Sequence, residues 1–438
     1  MSALVLAAVL ATTPVTLEDA RVRSRENVQA LTALLQASTA EQDVRVARAS
    51  LLPQVRLSSG AGVTYVGPQP GFIQVAPDVF EQTDEDIPGK SVPGYSFGLS
   101  VSQLIYDRAV WARLEQSGAQ LEALRGQAAE QRDTSELEGI QRFFSLYRTQ
   151  ATIQVLEANV RRSEEQLERA RALFQAGRVG KAEELSAQVN LGNDRIAVVS
   201  RRSQLATDQA RLATWLAMPG AEVVEAVDPG TLNQPPAPPP SLEQALADAR
   251  TRRPLLVALR QQLRAAELQE SIAHAGYLPR FALSGSYQRS GTDPAAVFAD
   301  PLRQFTVGGG INLSWDLFNG FSTHAQTRRA QYQSKVAELN LQQNERELEG
   351  AVRQAHETLL AQIASAELAA ANRQAAADAL TLATERFNAG VSSTLEVRDA
   401  QLKLTQAELT LLENKINVEI ARFALMRAMG TLAPGEAK

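Results

Sequence analysis

The stretch Phe305-Thr306-Val307-Gly308-Gly309-Gly310-Ile311-Asn312-Leu313-Ser314-Trp315 decides the fold. Phe305, Val307, Ile311, Leu313 and Trp315 alternate with Thr306, Gly308, Gly310, Asn312 and Ser314. A period of two, with one apolar face and one small polar face, suits a strand with lipid on one side and a wet lumen on the other. Three further runs repeat it. Val55, Leu57, Ala61, Val63 and Tyr65 alternate with Gln54, Arg56, Ser58, Gly60, Gly62 and Thr64. Tyr95, Phe97, Leu99 and Val101 alternate with Ser96, Gly98, Ser100 and Ser102, and Phe281, Leu283 and Tyr287 with Ala282, Ser284, Ser286 and Gln288. Each run is roughly 9–12 residues, enough to cross a bilayer when tilted. One such hairpin alone could be an ordinary amphipathic sheet on a core; four in an otherwise helical chain favour membrane strands.

Outward from these strands the chain is written twice. Leu17-Glu18-Asp19-Ala20 is echoed by Leu242-Glu243-Gln244-Ala245, and Leu51-Leu52-Pro53 by Tyr277-Leu278-Pro279. Leu104-Ile105-Tyr106-Asp107 corresponds to Asp316-Leu317-Phe318-Asn319, and Phe174-Gln175-Ala176-Gly177 to Phe387-Asn388-Ala389-Gly390. Landmarks repeated in order mark a tandem duplication. The expected organisation is a leader remnant over 1–14, a first repeat over 15–220, a linker over 221–240 and a second repeat over 241–438. Pro235, Pro236, Pro238, Pro239 and Pro240 make the linker extended and non-helical. Strands are expected at about 54–66, 94–106, 280–290 and 304–317. The loops 67–94 and 291–303, rich in Pro, Gly and acidic residues or simply short, are expected to be exposed tips.

Two proline-free runs, 109–177 and 321–390, are expected to be single helices of about 100 Å each at 1.5 Å per residue. In the first, Leu114, Leu121, Leu124, Leu137, Ile140, Phe144, Tyr147, Leu156, Val160, Leu167 and Phe174 recur at helical spacing, giving an amphipathic, coiled-coil-like face. Shorter segments, 17–52 with 181–218 and 241–278 with 391–429, sum to nearly the same length, so two short helices stacked end to end can lie beside each long one. Gly177 and Gly390 suit the left-handed position that ends a helix.

Composition agrees with side-by-side helices. Hydrophobic residues make up 44% of the 438 and aromatic residues 5%, and the net charge is only -5. No basic face invites nucleic acid. The absence of cysteine excludes disulfides, thiolate metal sites and a cysteine nucleophile within these residues, and no lipidated N-terminal cysteine is expected. The apolar run 3–11 resembles the end of a signal peptide without its basic start. No apolar run is long enough for a membrane-spanning helix, so a membrane-spanning form must be a closed barrel. Four strands cannot close one, since about eight are needed. Two, three or four copies would serve, and periodicity does not choose among them.

Together these landmarks resemble the TolC-like outer-membrane efflux protein family over essentially the whole chain after Pro14. Leu52-Pro53 and Leu278-Pro279 look like its approach to each hairpin, and Asp316-Leu317-Phe318-Asn319-Gly320 like its strand-to-helix exit. Arg386-Phe387-Asn388-Ala389-Gly390, continuing to Leu395-Glu396-Val397, looks like its periplasmic tip. Two departures stand out. The first exit, Tyr106-Asp107-Arg108, lacks the glycine, and the Asn-Pro pair frequent in the family after the first short helix is absent at Asn27-Val28 and appears as Arg253-Pro254. The resemblance implies a mainly α fold with membrane β: a homotrimer with a twelve-stranded outer-membrane β-barrel continued by a twelve-helix periplasmic α-barrel, the linker forming an equatorial belt. It implies an exit duct of a tripartite efflux or type I secretion system of a Gram-negative bacterium. Partners would be outer-membrane lipid, a periplasmic adaptor (membrane fusion protein) and an inner-membrane transporter.

Site candidates cluster at the two helix tips. Glu396 and Asp399, three apart on one helix face, fall where the family carries acidic rings, and Glu183 holds the matching place in the first repeat. Copies around an axis would form a negative, cation-favouring pore gate. Gly177, Arg178, Val179 and Gly180, with Gly390, Val391 and Ser392, would form the adaptor-docking rim. The plainer readings are a solvated helix face for the acids and capping for the glycines. His274, His324 and His356 lack metal-ligand spacing and are expected to be exposed. Gly308, Gly309 and Gly310 lie in a strand and make no phosphate loop. No polar residues converge as in an enzyme, and no cofactor or metal is expected. The alternative is a coiled-coil structural or adaptor protein of the periplasm, which leaves the four strands unexplained. Nothing in the residues names the cargo.

Overall fold

The computed structural model describes residues 12–76, 78–218, 223–235, 237–299, 302 and 305–432. The apolar run 3–11 lies outside these, as do Pro236 and several residues of 291–303. The first half contains β1 (Thr12–Val15), α1 (Leu17–Ser24), α2 (Val28–Ala49), β2 (Gln54–Val66), β3 (Gln69–Ala76) and β4 (Val79–Ile87). It continues through β5 (Lys90–Tyr106), α3 (Arg108–Gln175), α4 (Lys181–Trp215) and β6 (Val223–Ala226). The second contains α5 (Leu242–Arg252), α6 (Pro254–His274), β7 (Arg280–Gly291), α7 (Pro294–Phe298), β8 (Phe305–Ser314), α8 (Ser322–Asn388) and α9 (Thr394–Met429). The chain divides into two compact units. One comprises Met1–Ser38, Glu122–Arg260 and Leu339–Lys438, the other Thr39–Leu121 and Gln261–Glu338.

The second unit holds an antiparallel sheet in the order β2-β5-β7-β8. Its register keeps like residues in line across all four strands. Leu57 pairs with Leu99, Leu99 with Tyr287 and Tyr287 with Val307, while Arg56, Ser100, Ser286 and Gly308 form the neighbouring row. Side chains alternate in a strand, so one row in two is apolar and faces one way. That face is bare: Val55, Leu57, Val63, Val307, Ile311 and Leu313 are each at least 60% exposed. The other face carries small residues tied by short polar bonds, such as Asn312 Nδ2 to Ser284 Oγ at 2.9 Å. A bulge at Ile105 shifts the register so that Tyr106 lies opposite Phe281 on the apolar face. α7 packs Phe298 edge-on against Phe97 and buries Arg289.

The stretch 67–94, read from sequence as an exposed loop, carries a hairpin of its own, β3 paired with β4. Asp78 makes its turn at φ 65°, a left-handed conformation that Asp tolerates better than most residues.

The first unit is helical. Its core gathers Ile140, Phe143, Phe144 and Leu146 of α3, Leu212 of α4, and Ile416 and Phe423 of α9. A second core, Leu348, Val352 and Leu359 of α8 with Leu256, Val418 and Leu425, lies under α5. α1 and α5 begin alike. Thr16 accepts from the Asp19 N–H and Ser241 from that of Gln244, and each partner side chain returns a bond. The Thr16 bonds hold the Asp19 carboxyl below its usual range. Thr12–Val15 run parallel to Val223–Ala226, so the chain start and the linker share a two-stranded ladder. Among the described residues no helix is long and apolar enough to cross a membrane.

Candidate functional site

Both long helices end in the same way. Gly177 (φ 71°) and Gly390 (φ 76°) occupy the left-handed region. The Arg178 N–H donates to Leu173 O and that of Gly177 to Phe174 O; Val391 donates to Arg386 O and Gly390 to Phe387 O. This paired 6→1 and 5→2 pattern closes the last turn and reverses the chain. A Cβ at either glycine would meet nothing within 4 Å, so only the backbone angle demands glycine there. Arg178, Gly180 and Val391 are exposed, and Val179 and Ser392 are partly covered.

The restart of the chain differs between the tips. Ser393 caps α9 by accepting from the Glu396 N–H at 3.4 Å, whereas Gly180 gives α4 no side-chain cap. Glu396 is held inside its own turn. Its Oε1 lies 3.2 Å from Arg386 Nη1 across the α8–α9 reversal, and its Oε2 accepts from Ser392 Oγ at 2.6 Å. Asp399 is exposed and pairs with Lys403 at 2.7 Å. Glu183 sits in the first turn of α4 and lines a small cleft with Ser186, Asn190, Leu395 and Arg398. Glu183 and the start of α9 thus come together, while Glu396 turns toward Arg386.

Behind the acidic residues is a cluster that sequence reading missed. Arg398, on α9 between Glu396 and Asp399, grips Asp194 of α4 with both nitrogens, at 2.8 and 2.9 Å. Ser163 of α3 donates to the same Asp194 carboxylate at 2.5 Å. Gln401 Nε2 reaches Asn159 Oδ1 at 2.9 Å and Ser163 Oγ at 3.0 Å, and Thr405 donates to Asn159 Oδ1 at 3.1 Å. Asn159, Ser163, Asp194, Gln401 and Thr405 are all buried. A buried charge is tolerated when paired and fully hydrogen-bonded, and this pairing fixes α3, α4 and α9 together near the tips. The signal was a polar stripe at 398, 401 and 405 facing another at 159 and 163, both at helical spacing.

A second ionic cluster lies higher on α3. Glu130 pairs with Arg253 at 2.7 Å and Arg427 at 2.8 Å, and Glu136 with Arg21 at 2.8 Å and Arg25 at 3.3 Å. Burial raises the Glu136 pKa against the pull of these arginines. Asp133 lies between the two. Burial first, then the charges of Glu130 and Glu136, push it up to about 6, with Arg25 and Arg253 opposing.

His274 and His324 are exposed, as expected from sequence, but His356 is not. It is buried on α8, with Nε2 3.1 Å from the Pro240 carbonyl. The proline-rich linker lies over that turn of α8, a contact invisible to periodicity.

The family profile for outer membrane efflux proteins matches residues 17–217 and 245–431, leaving out only the ends and the linker region. The chain belongs to the outer membrane efflux protein family. Among curated relatives of this efflux protein, the outer membrane protein TolC of Vibrio cholerae is 22% identical over 416 residues, 94% of this chain and 90% of that one. Protein CyaE of Bordetella pertussis is 30% identical over 239 residues, 53% of this chain and 50% of that protein. Among solved structures, the open MtrE outer membrane channel of Neisseria gonorrhoeae superposes with TM-score 0.77 at 17% identity, covering 95% of this chain and 89% of that one. The efflux protein therefore shares the fold of outer-membrane channels, and it is assigned to the outer membrane with its family.

Proposed function

We propose that three copies of this chain close into one barrel and one helical tunnel, making the exit duct of a tripartite efflux or type I secretion system. The observation that carries this reading is the sheet. It exposes an apolar face, and among the described residues β2 and β8 are its outer strands, each paired along one edge only. Unpaired backbone groups in lipid cost several kcal/mol each, so the edges must find partners, and further copies supply them. Conduction is passive. The tips at Gly177–Gly180 and Gly390–Ser392 are the surface for a periplasmic adaptor, behind which an inner-membrane transporter delivers cargo. Glu396, Asp399 and Glu183 form acidic rings at the periplasmic entrance, with Arg386 and Lys403 setting how much of that charge reaches the axis. A coiled-coil scaffold or a periplasmic adaptor has no use for a bare apolar sheet.

The test is reconstitution of the purified protein in planar bilayers. A duct gives stable conductance from detergent-resistant trimers, and Glu396→Ala with Asp399→Ala lowers its cation preference. Absence of conductance removes the duct reading; unchanged selectivity in the double variant removes the acidic rings alone.

A further inference from the structure

At the foot of the sheet, wholly within the second unit, lies a cleft of about 840 Å³ between the start of α3, the end of α6 and the start of α8. Three arginines line it, Arg113 of α3, Arg280 at the start of β7 and Arg329 of α8, with two carboxylates, Asp107 and Asp316. Both carboxylates are occupied. Asp107 Oδ1 accepts the Ala109 N–H at 2.8 Å at the start of α3, and Asp316 lies 3.6 Å from Arg280. Among the described residues no acid pairs with Arg113 or Arg329, and both are solvent-exposed. Both long helices begin here, with Ala109 and Thr323 in the lining. Their N-termini add positive potential to that of the guanidinium groups.

The sheet says which way the cleft faces. Arg280 is two residues before Ala282 and lies opposite Ser314, so it continues the small polar face, where its guanidinium meets Asp316. The cleft is therefore on the side away from the bare apolar rows.

We propose that this cleft binds oxyanions, the phosphate or carboxylate groups of solutes passing through the lumen. The inference rests on the duct reading for its lumen, but the binding site stands on the unpaired arginines. Repeated in each copy, Arg113 and Arg329 make a basic belt where the helices meet the barrel, which attracts anionic groups that an acidic entrance repels.

The test takes the full-length protein in detergent and in phosphatidylcholine bilayers, with inorganic tripolyphosphate as probe. Calorimetry measures its binding, and the reversal potential in a KCl gradient measures selectivity. Arg113→Gln with Arg329→Gln weakens tripolyphosphate binding roughly tenfold or more and shifts the reversal potential toward cations. The matching lysine pair keeps the selectivity but binds more weakly than wild type, because an ammonium lacks the two-pronged grip. Unchanged binding and reversal potential in the glutamine variant, with conductance intact, overturn the proposal. A wild type that binds the probe but does not conduct refutes the duct and upholds the cleft; one that conducts without binding does the reverse. Displacement of the probe by phosphatidylglycerol vesicles would make the ligand a lipid headgroup and overturn the lumenal placement.

Discussion

Ala217 holds in the first half of the chain the backbone place that Gly430 holds in the second. Met218 donates to Ala213 O and Thr431 to Met426 O, both at 2.9 Å, so the two reversals close with the same bond. Gly430 takes φ 71° without strain, while Ala217 is forced to φ 51°. Left-handed backbone costs a non-glycine residue roughly 1–2 kcal/mol, part of which glycine gives back in unfolded-chain entropy. Ala217→Gly should therefore stabilise the protein by about 0.5–1 kcal/mol, seen as a higher midpoint of thermal unfolding. Gly430→Ala should destabilise it by more, because its Cβ would lie 2.8 Å from the Arg252 carbonyl carbon. Equal and opposite effects would show that backbone angle alone decides both sites.

Arg398 should act through Asp194. Replacing Arg398 by alanine leaves a buried carboxylate with Ser163 as its remaining partner, which should loosen the tips by about 3–5 kcal/mol. Hydrogen exchange over 394–405 would read this as faster opening. Asp194→Asn in the Arg398→Ala background should recover part of the loss, and additive effects of the two changes would contradict a coupled pair.

Stability should depend on the ionisation of Asp133. Burial and its acidic neighbours push the folded carboxyl from its ordinary value of 3.8 up to about 6. Between these values the native state keeps a proton the unfolded chain has lost, so stability falls as pH rises through the window, by about 3 kcal/mol. Asp133→Asn should remove this slope, leaving the variant more stable than wild type at neutral pH and nearly equal to it near pH 4. Parallel unfolding midpoints of variant and wild type from pH 4 to 7 would count against it.

The two faces of β8 should respond oppositely to charge. Lysine for Ile311, on the exposed apolar row, should cost about 2–4 kcal/mol of folding into lipid vesicles. Lysine for Asn312, on the small polar face, should cost much less. Urea titration of vesicle-inserted protein separates the two, and equal losses would place both faces in the same medium.

Much of the fold was legible because its signals are local. The period of two in Phe305–Ser314 and its three relatives needs no partner to be recognised. The tip glycines announced their left-handed angles through the repeated Phe-x-Ala-Gly. What escaped depends on contact. The β3–β4 hairpin sits in a stretch whose Pro, Gly and acidic residues read as loop. His356 looks like any polar helix residue until Pro240 is laid against it. At the tips, Glu396 and Asp399 drew notice as an acidic pair. Arg398 between them, which joins three helices, was passed over because its partners lie 204 and 235 residues away.

The pairing of β5 with β7 joins the two halves of the duplication within one sheet. A ring of copies would repeat that joint between β8 of one chain and β2 of the next: again the second strand of one half against the first strand of another. Such a ring has six nearly equivalent joints, three of them inside a chain and held at high effective concentration by the segment linking the halves. An unduplicated half would need six independent bodies to meet. The fused chain, assembling as proposed, would need three, so duplication would lower the molecularity of assembly and leave the geometry of the ring unchanged.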